Sequence, residues 1–338
     1  MKKITISAPG KLMLLGEHAV IYNRPCLVTA VDQRMKATVE VTDDSIFSLE
    51  APDVNVTGYS KPMKELGKGE MPKGAQFVEN AVRNFSEKYH LTGGLKVTTH
   101  SEFSSQFGFG SSSASTVCVV KALREMYSSN EVRSNIKVDS RLRGNDEKKE
   151  LFDIAYKTVL DVQGKGSGFD VAAGIYGGCL YFVTGGKVIE PISVDSLPLI
   201  VGYTGIKADT ITLVNQISVK KKQYPEKMEK LFNAIVQLVE QAKVALQTND
   251  YERLGKLMDF NQEYLRDLGV SSERLENLID ASKKSGAYGA KLSGAGVGDC
   301  MIALAPPDKT QAVKQAISEA GGQVIEIETN VEGVRVED

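Results

Sequence analysis

Apolar and polar residues alternate in short runs through the first hundred positions. Ile4 and Ile6, then Ala37, Val39 and Val41, then Leu95 and Val97 recur every second residue, the period of a strand with one buried face. Between these runs Phe77, Val78, Ala81, Val82 and Phe85 fall at helical spacing and predict a helix over 75–89. A Gly/Ser turn at 108–113 leads directly into Val117, Val120, Leu123 and Met126, a second helical stripe. Residues 128–149 are polar and heavily charged with almost no apolar periodicity, and read as an exposed insertion between two helices. Asp and Glu interleave with the basic residues there and aromatics are absent, so a solvated loop is favoured over a nucleic-acid patch.

The second half has a different rhythm. Residues 151–160 read as helix, and strand-like runs at 179–183 and 188–192 flank Thr184-Gly-Gly-Lys187, a hairpin signal. A buried strand is predicted over 197–203. From 209 to 284 the chain reads as helical, with Leu231, Ile235, Leu238 and Ala242 on one face, and the apolar run 300–304, a helix over 310–320 and a strand near 324–327 follow. No fixed-period repeat is visible. Strands first, then helices, then late strands indicate the α+β class.

Length and composition narrow the picture. A chain of 338 residues exceeds one ordinary core and suits two domains or one two-lobed unit. Lys and Arg number 41 against 43 Asp and Glu, a net charge of −2, so no global field draws the chain to nucleic acid or anionic lipid, although a local cationic pocket for phosphate is compatible with it. Cys26, Cys118, Cys179 and Cys300 form no Cys-x-x-Cys pair, and three of them sit in apolar runs, which points to buried free thiols in a reducing compartment. The first residues, Met1-Lys-Lys-Ile-Thr-Ile, lack the apolar stretch of a signal peptide, and no run approaches the roughly 18 apolar residues of a membrane span. A cytoplasmic protein with no membrane partner is expected.

Three glycine clusters carry the candidate chemistry. In Phe107-Gly-Phe-Gly-Ser-Ser-Ser-Ala114 small residues let backbone N–H groups approach an anion, and the following helix points its positive end at the same place. Serine hydroxyls there can bind phosphate oxygen or complete a magnesium shell. The segment is not a Walker A loop, and an ordinary capped turn is the bland alternative. Ser293-Gly-Ala-Gly-Val-Gly298 lies between Lys291 and an apolar strand, a second place for close backbone approach. Ala8-Pro-Gly-Lys11 is followed by Gly16-Glu-His18 inside an apolar run, and burying Lys11, Glu17 and His18 is costly unless they serve a ligand or satisfy one another.

Together, Pro9-Gly-Lys with Gly16-Glu-His18, Gly108-Phe-Gly-Ser-Ser-Ser113 and Lys291-Leu-Ser-Gly-Ala-Gly296 resemble the three motifs of the GHMP kinases, in order and spanning nearly the whole chain. The resemblance implies a two-lobed fold, with an N-terminal lobe of ribosomal-protein-S5 type over 1–190 and a ferredoxin-like C-terminal lobe over 191–338, and ATP bound between them. It implies that Asp170, in Gly166-Ser-Gly-Phe-Asp170, is the base. Lys11 would pair with it and lower the acceptor hydroxyl's pKa. Gly108, Gly110, Ser111, Ser112 and Ser113 would line the triphosphate, and Glu17, His18, Gly294 and Ala295 would face the acceptor.

Ser112 matches the magnesium-contacting serine. The second magnesium ligand of mevalonate kinases, a glutamate about three helical turns before the base, falls here on Val159, with Asp161 the nearest carboxylate. Gly16-Glu-His-Ala-Val-Ile-Tyr-Asn-Arg-Pro25 and the Asn261–Ser271 stretch resemble the mevalonate kinases. Gln163–Ala173 and Asp299 look closer to phosphomevalonate kinases. The acceptor expected is mevalonate, with phosphomevalonate as the alternative, and a GHMP-fold metabolite sensor is the non-enzyme reading. A homodimer is left open.

Overall fold

The computed structural model describes residues 3–89, 91–128 and 144–337. The elements run β1 (Lys3–Leu15), β2 (Pro25–Thr42), β3 (Ile46–Ala51), β4 (Val56–Pro62), α1 (Gln76–Tyr89), β5 (Gly94–Ser101), α2 (Ser111–Ser128), α3 (Asn145–Gln163) and α4 (Phe169–Tyr176). They continue with β6 (Cys179–Val183), β7 (Val188–Ile192), β8 (Leu199–Tyr203), α5 (Thr210–Gln223), α6 (Pro225–Gln247), α7 (Tyr251–Leu268) and α8 (Glu273–Lys284). The chain closes with β9 (Gly289–Ser293), β10 (Cys300–Leu304), α9 (Thr310–Glu319), β11 (Gln323–Ile325) and β12 (Arg335–Glu337).

Among the described residues, eight strands form one sheet along the path β12-β1-β2-β5-β3-β4, with the β6–β7 hairpin joined to β2. The alternation seen in the sequence sets its register: Ile4 lies opposite Val39 and Ile6 opposite Ala37 in the antiparallel β1–β2 pair. That ladder slips between Pro9 and Gly10. Pro9 has no N–H to give, and a bulge at such a point re-aims the side chains that follow. Lys11 is the residue re-aimed. Helix α2 buries Val117, Cys118, Val120, Leu123 and Met126 and packs on β1 and β2, flanked by α1, α3 and α4.

The second sheet is four-stranded and antiparallel, β11-β8-β10-β9. Strands β8, β9 and β10 are buried along their whole length; β8 and β10 are almost wholly apolar, while β9 buries Lys291 and Ser293. Helices α8 and α9 pack on this sheet, while α6 leans on β1 and β2 and α7 on β9 and β1. Thus α6 and α7 join the two halves.

Two features depart from the sequence expectations. Five residues assigned to the charged insertion, 145–149, form the first turns of α3. There Glu147 pairs with Lys121 at 2.6 Å and Glu150 with Arg124 at 3.0 Å, so ionic contacts replace the apolar stripe that would have announced a helix. The rest of the insertion up to 143 lies outside the described residues.

The C-terminal segment also returns to the first sheet. Ile6 faces Val336, and buried Arg34 donates through Nε to Ser7 Oγ (2.7 Å) and through its terminal nitrogens to the Glu332 (3.0 Å) and Gly333 (2.8 Å) carbonyls. All four cysteines are buried and free. Among the described residues no helix is long and apolar enough to cross a membrane.

Candidate active site

Three loops converge where β1, α2, α4 and β9 meet. The first is the bulged part of β1. A Cβ on Gly10 would stand 3.2 Å from the Gln33 carbonyl oxygen and 3.2 Å from Phe109 Cβ, so glycine is what admits the 107–110 loop to this strand. The loop is then fixed by the Lys11 N–H donating to the Phe109 carbonyl at 3.1 Å. Lys11 Nζ, nearly buried, donates to the Gly108 carbonyl at 2.7 Å and lies 3.4 Å from Asp170 Oδ1.

The second loop ends in the N-terminus of α2. Its first intrahelical bond is the Ala114 N–H to the Gly110 carbonyl at 3.0 Å. The amides of Ser111, Ser112 and Ser113 precede that bond and point out of the helix end, a ready seat for phosphate oxygens. Gly110 adopts φ +82°, and a Cβ there would lie 3.2 Å from Lys11 Cε and 3.6 Å from Asp170 Cβ. Backbone, lysine and carboxylate therefore share one small space.

Asp170 comes from the first turn of α4. Preceding it, Gly168 takes φ +91°, where a Cβ would fall 2.8 Å from Tyr156 Cδ2. The carboxylate is one-third exposed, yet its Oδ1 is buried and accepts no hydrogen bond within the chain. A buried acceptor beside an ammonium is placed to take a hydrogen bond from an incoming hydroxyl and then its proton.

The third loop, 294–298, follows β9. Ser293 Oγ accepts from the Met13 N–H (3.1 Å) and donates to the Met13 carbonyl (3.0 Å), stitching β9 to β1. His18, held at φ +59°, points Nε2 at the Ala295 carbonyl at 2.9 Å. A carbonyl only accepts, so Nε2 carries the hydrogen and Nδ1 presents a lone pair, buried and unpartnered. Burial pushes the imidazole pKa down to about 4, with the Ala295 bond opposing in part, so the ring is neutral at physiological pH. A Cβ on Gly294 would meet no atom within 4 Å.

Glu17 differs from its expected place facing the acceptor. It is 1% exposed, its Oε1 accepts from Lys291 Nζ, and its Oε2 accepts from Asn261 Nδ2 at 3.2 Å. Lys291 is fully buried, which pushes its ammonium pKa down against the pull of Glu17. Both carboxylate oxygens are thus taken by β9 and α7.

Asp161 also stands apart from the magnesium role considered for it. Its Oδ2 accepts from Arg83 (2.6 Å), Lys157 (2.8 Å) and Asn84 (2.9 Å) on the seam between α1 and α3. Burial pushes this carboxyl up, but the lysine, asparagine and arginine outweigh it and hold the pKa below the ordinary range. Three donors thus share that one oxygen. Val159, the position matching the family glutamate, is buried.

Asp299 emerges as a site residue whose importance the sequence marked only as a departure from the mevalonate kinase pattern. It sits at φ +56°, accepts the Ala208 N–H on Oδ1 at 2.8 Å, and places Oδ2 2.7 Å from where a Gly108 Cβ would be. Burial raises its pKa, with the Ala208 bond and the charges of Lys11 and Lys207 opposing. Beside it, Cys300 Sγ donates to the Phe107 carbonyl at 3.2 Å. The phosphate loop is therefore backed by the strand after the third glycine cluster.

Comparison with known proteins agrees with this geometry. The GHMP kinases N terminal domain family matches residues 76–178 and the GHMP kinases C terminal family matches residues 242–323. The chain belongs to the GHMP kinases and is an ATP-using small-molecule kinase. Among its relatives, the mevalonate kinase of Thermococcus sibiricus is 34% identical over 99% of both chains. The crystal structure of L. major mevalonate kinase in complex with R-mevalonate superposes with a TM-score of 0.73 at 26% identity, over 96% of this chain and 95% of that one. Streptococcus pneumoniae phosphomevalonate kinase shares the fold at TM-score 0.77 and 20% identity, over 96% of this chain and 99% of that one.

Proposed function

We propose that this kinase transfers the γ-phosphoryl group of ATP to the primary hydroxyl of mevalonate, giving 5-phosphomevalonate. The observation that carries the choice of acceptor is the charge balance on the acceptor side. Phosphomevalonate brings a phosphate dianion that needs several cations around it. Of the candidates, Lys291 is spent on Glu17, Arg24 is paired with Glu229, and His18 is neutral. Lys11 serves Gly108 and Asp170, which leaves Lys165, whose Nζ meets the neutral Asn215 Oδ1 at 2.8 Å. Among these described candidates Lys165 alone has no anionic partner and is not neutral, and one such cation suits a monocarboxylate better than a second phosphate. The curated relatives named mevalonate kinase point the same way.

In this reading Asp170 accepts the hydroxyl proton through its unpartnered Oδ1. Lys11 offsets negative charge as the oxygen attacks, and the amides of Ser111, Ser112 and Ser113 hold the phosphates in line. Gly108 and Gly110 keep that loop free of side chains, and His18, Gly294 and Ala295 border the acceptor. Among the described residues no group of three or more His, Cys, Asp or Glu is placed to hold a metal. The donors that fit a magnesium ion arriving with the nucleotide are the Ser112 hydroxyl and Asp170, whose buried Oδ1 accepts no hydrogen bond within the chain. Magnesium would neutralise phosphate charge. The buried thiols fit a reducing, cytoplasmic setting.

The test is ADP release measured with mevalonate and with 5-phosphomevalonate at saturating MgATP. Higher kcat/KM for mevalonate is expected. A clear preference for the phosphorylated acceptor would overturn the substrate assignment and leave the kinase assignment standing.

A further inference from the structure

Three contacts from a five-residue window, Lys291 to Glu17, Ser293 to Met13 and Ala295 to His18, grip the end of β1 and the turn after it. Two of these are neutral hydrogen bonds. The third is an ion pair between residues 274 positions apart, with both partners almost without solvent contact. Such a pair is a poor source of stability, since the cost of dehydrating both charges consumes most of the attraction and well-packed apolar residues do as well. What it supplies is position. Lys291 Nζ is fixed at its other side by the Leu292 carbonyl, and the Leu292 N–H is fixed by Gln262 Oε1 at 3.0 Å, so the ammonium sits on a rigid mount.

Glu17 is thereby held from two directions, by β9 and by Asn261 of α7. The next residue is His18, which takes a positive φ uncommon for a residue with a side chain, and whose ring orientation sets which nitrogen is left without a partner. We infer that Lys291 is a positioning residue: by pinning Glu17 it holds His18 in its turn, with Nε2–H on Ala295 and the Nδ1 lone pair free for the acceptor. The inference rests on the proposed function for the identity of the acceptor, but its structural half does not.

The experiment uses the full chain, Lys291→Met, and Lys291→Met combined with Glu17→Gln, which removes both charges together. His18 is one of three histidines, so ¹⁵N-histidine spectra report its tautomer directly, assigned by its disappearance in His18→Gln. In both variants the Nε2–H tautomer of His18 gives way to a mixture. The KM for mevalonate rises by about tenfold or more while the KM for ATP stays within about twofold. Should Lys291→Met alone fail to fold, the double variant carries the test, because it leaves no unpaired buried charge. An unchanged His18 tautomer and an unchanged acceptor KM in a folded variant overturn the inference and reduce the pair to a stabilising contact. If the wild-type chain turns over a different acceptor, the mevalonate assignment fails on that measurement alone. The tautomer, and KM for the acceptor used, still decide the role of Lys291.

Discussion

Replacing Lys11 by methionine removes a charge that touches both the phosphate loop and the proposed base. Lys11 Nζ lies 2.7 Å from the Gly108 carbonyl and 3.4 Å from Asp170 Oδ1. The first contact is a hydrogen bond from a charged donor, of about 1.5–3 kcal/mol, and it tethers the loop on which the triphosphate is to sit. The second is an attraction of about 5 kcal/mol at an effective dielectric of 20, before desolvation is subtracted. Asp170 is one-third exposed, so water can take over much of that attraction in the resting enzyme.

In the proposed mechanism the lysine has a further task in the transition state, offsetting charge on oxygens enclosed by the loop. Losing one such preorganised donor costs about 2.7–4 kcal/mol, or 10²–10³ in kcat. Lys11→Met is therefore expected to lower kcat by about two to three orders of magnitude. Nucleotide affinity should fall by about tenfold as the loop loosens, and the melting temperature should change little. Coupled ADP-release kinetics, calorimetric titration with a non-hydrolysable nucleotide and thermal unfolding separate the three quantities. A kcat within tenfold of wild type would refute the assignment of Lys11, and a collapse of the melting transition would show that its contacts are mainly structural.

Two further outcomes follow from the same geometry. Gly110→Val forces a branched side chain into φ +82° and against Lys11 Cε, a backbone strain of about 1–3 kcal/mol placed where the phosphates bind. Nucleotide binding by calorimetry should be lost while unfolding stays cooperative, and unchanged affinity would return the segment to an ordinary turn. His18 titrates near 4 when folded and near 6.5 when unfolded, so between those values the unfolded chain binds more protons. Its contribution is fully present above pH 6.5 and is lost as pH falls to 4, about 3 kcal/mol in all at 1.36 kcal/mol per unit. Urea unfolding should therefore show a shallower pH slope for His18→Gln than for wild type in that window, and equal slopes would rule the burial argument out.

Local patterns made most of the fold legible, and contacts between distant segments account for what was missed. Helices α1 and α2, the β6–β7 hairpin, β8, β10 and α9 all announce themselves by period, because each buries one face in its own neighbourhood. The first turns of α3 did not, since Glu147 and Glu150 are held by Lys121 and Arg124 of another helix and leave no apolar stripe. Strand β12 is three residues long and largely exposed; it pairs with β1, and Arg34, about three hundred positions earlier, holds the Glu332 and Gly333 carbonyls just before it. At the site, Lys11, Asp170 and the serine loop were legible as motifs, and the structure places them together. Glu17 looks available for a ligand in the sequence because its cation, Lys291, comes from a strand 274 positions away, whereas Asp161 has Lys157 four residues before it on the same helix, joined by Arg83 of α1.

The third glycine cluster explains why three motifs scattered over nearly three hundred residues must arrive at one place. At its leading end, Lys291, Ser293 and Ala295 hold Glu17, Met13 and His18, the end of β1 and the turn after it. After it, Asp299 and Cys300 press on Gly108 and Phe107, the front of the phosphate loop. Between these grips the chain must reverse within a few residues. Gly296 manages this at φ +89°, where a Cβ would lie 2.0 Å from the Val270 carbonyl, and Gly298 passes so close to Ile206 that a Cβ would lie 2.6 Å from its carbonyl. A turn packed this closely is hard to compress, so it fixes its two ends relative to each other. In the proposed reaction the distance between donor phosphate and acceptor hydroxyl would depend on this short piece of loop, and misplacement by about 1 Å costs about a hundredfold in rate. Side chains in this cluster that touch neither substrate can for that reason control the chemistry as strongly as Lys11 or Asp170.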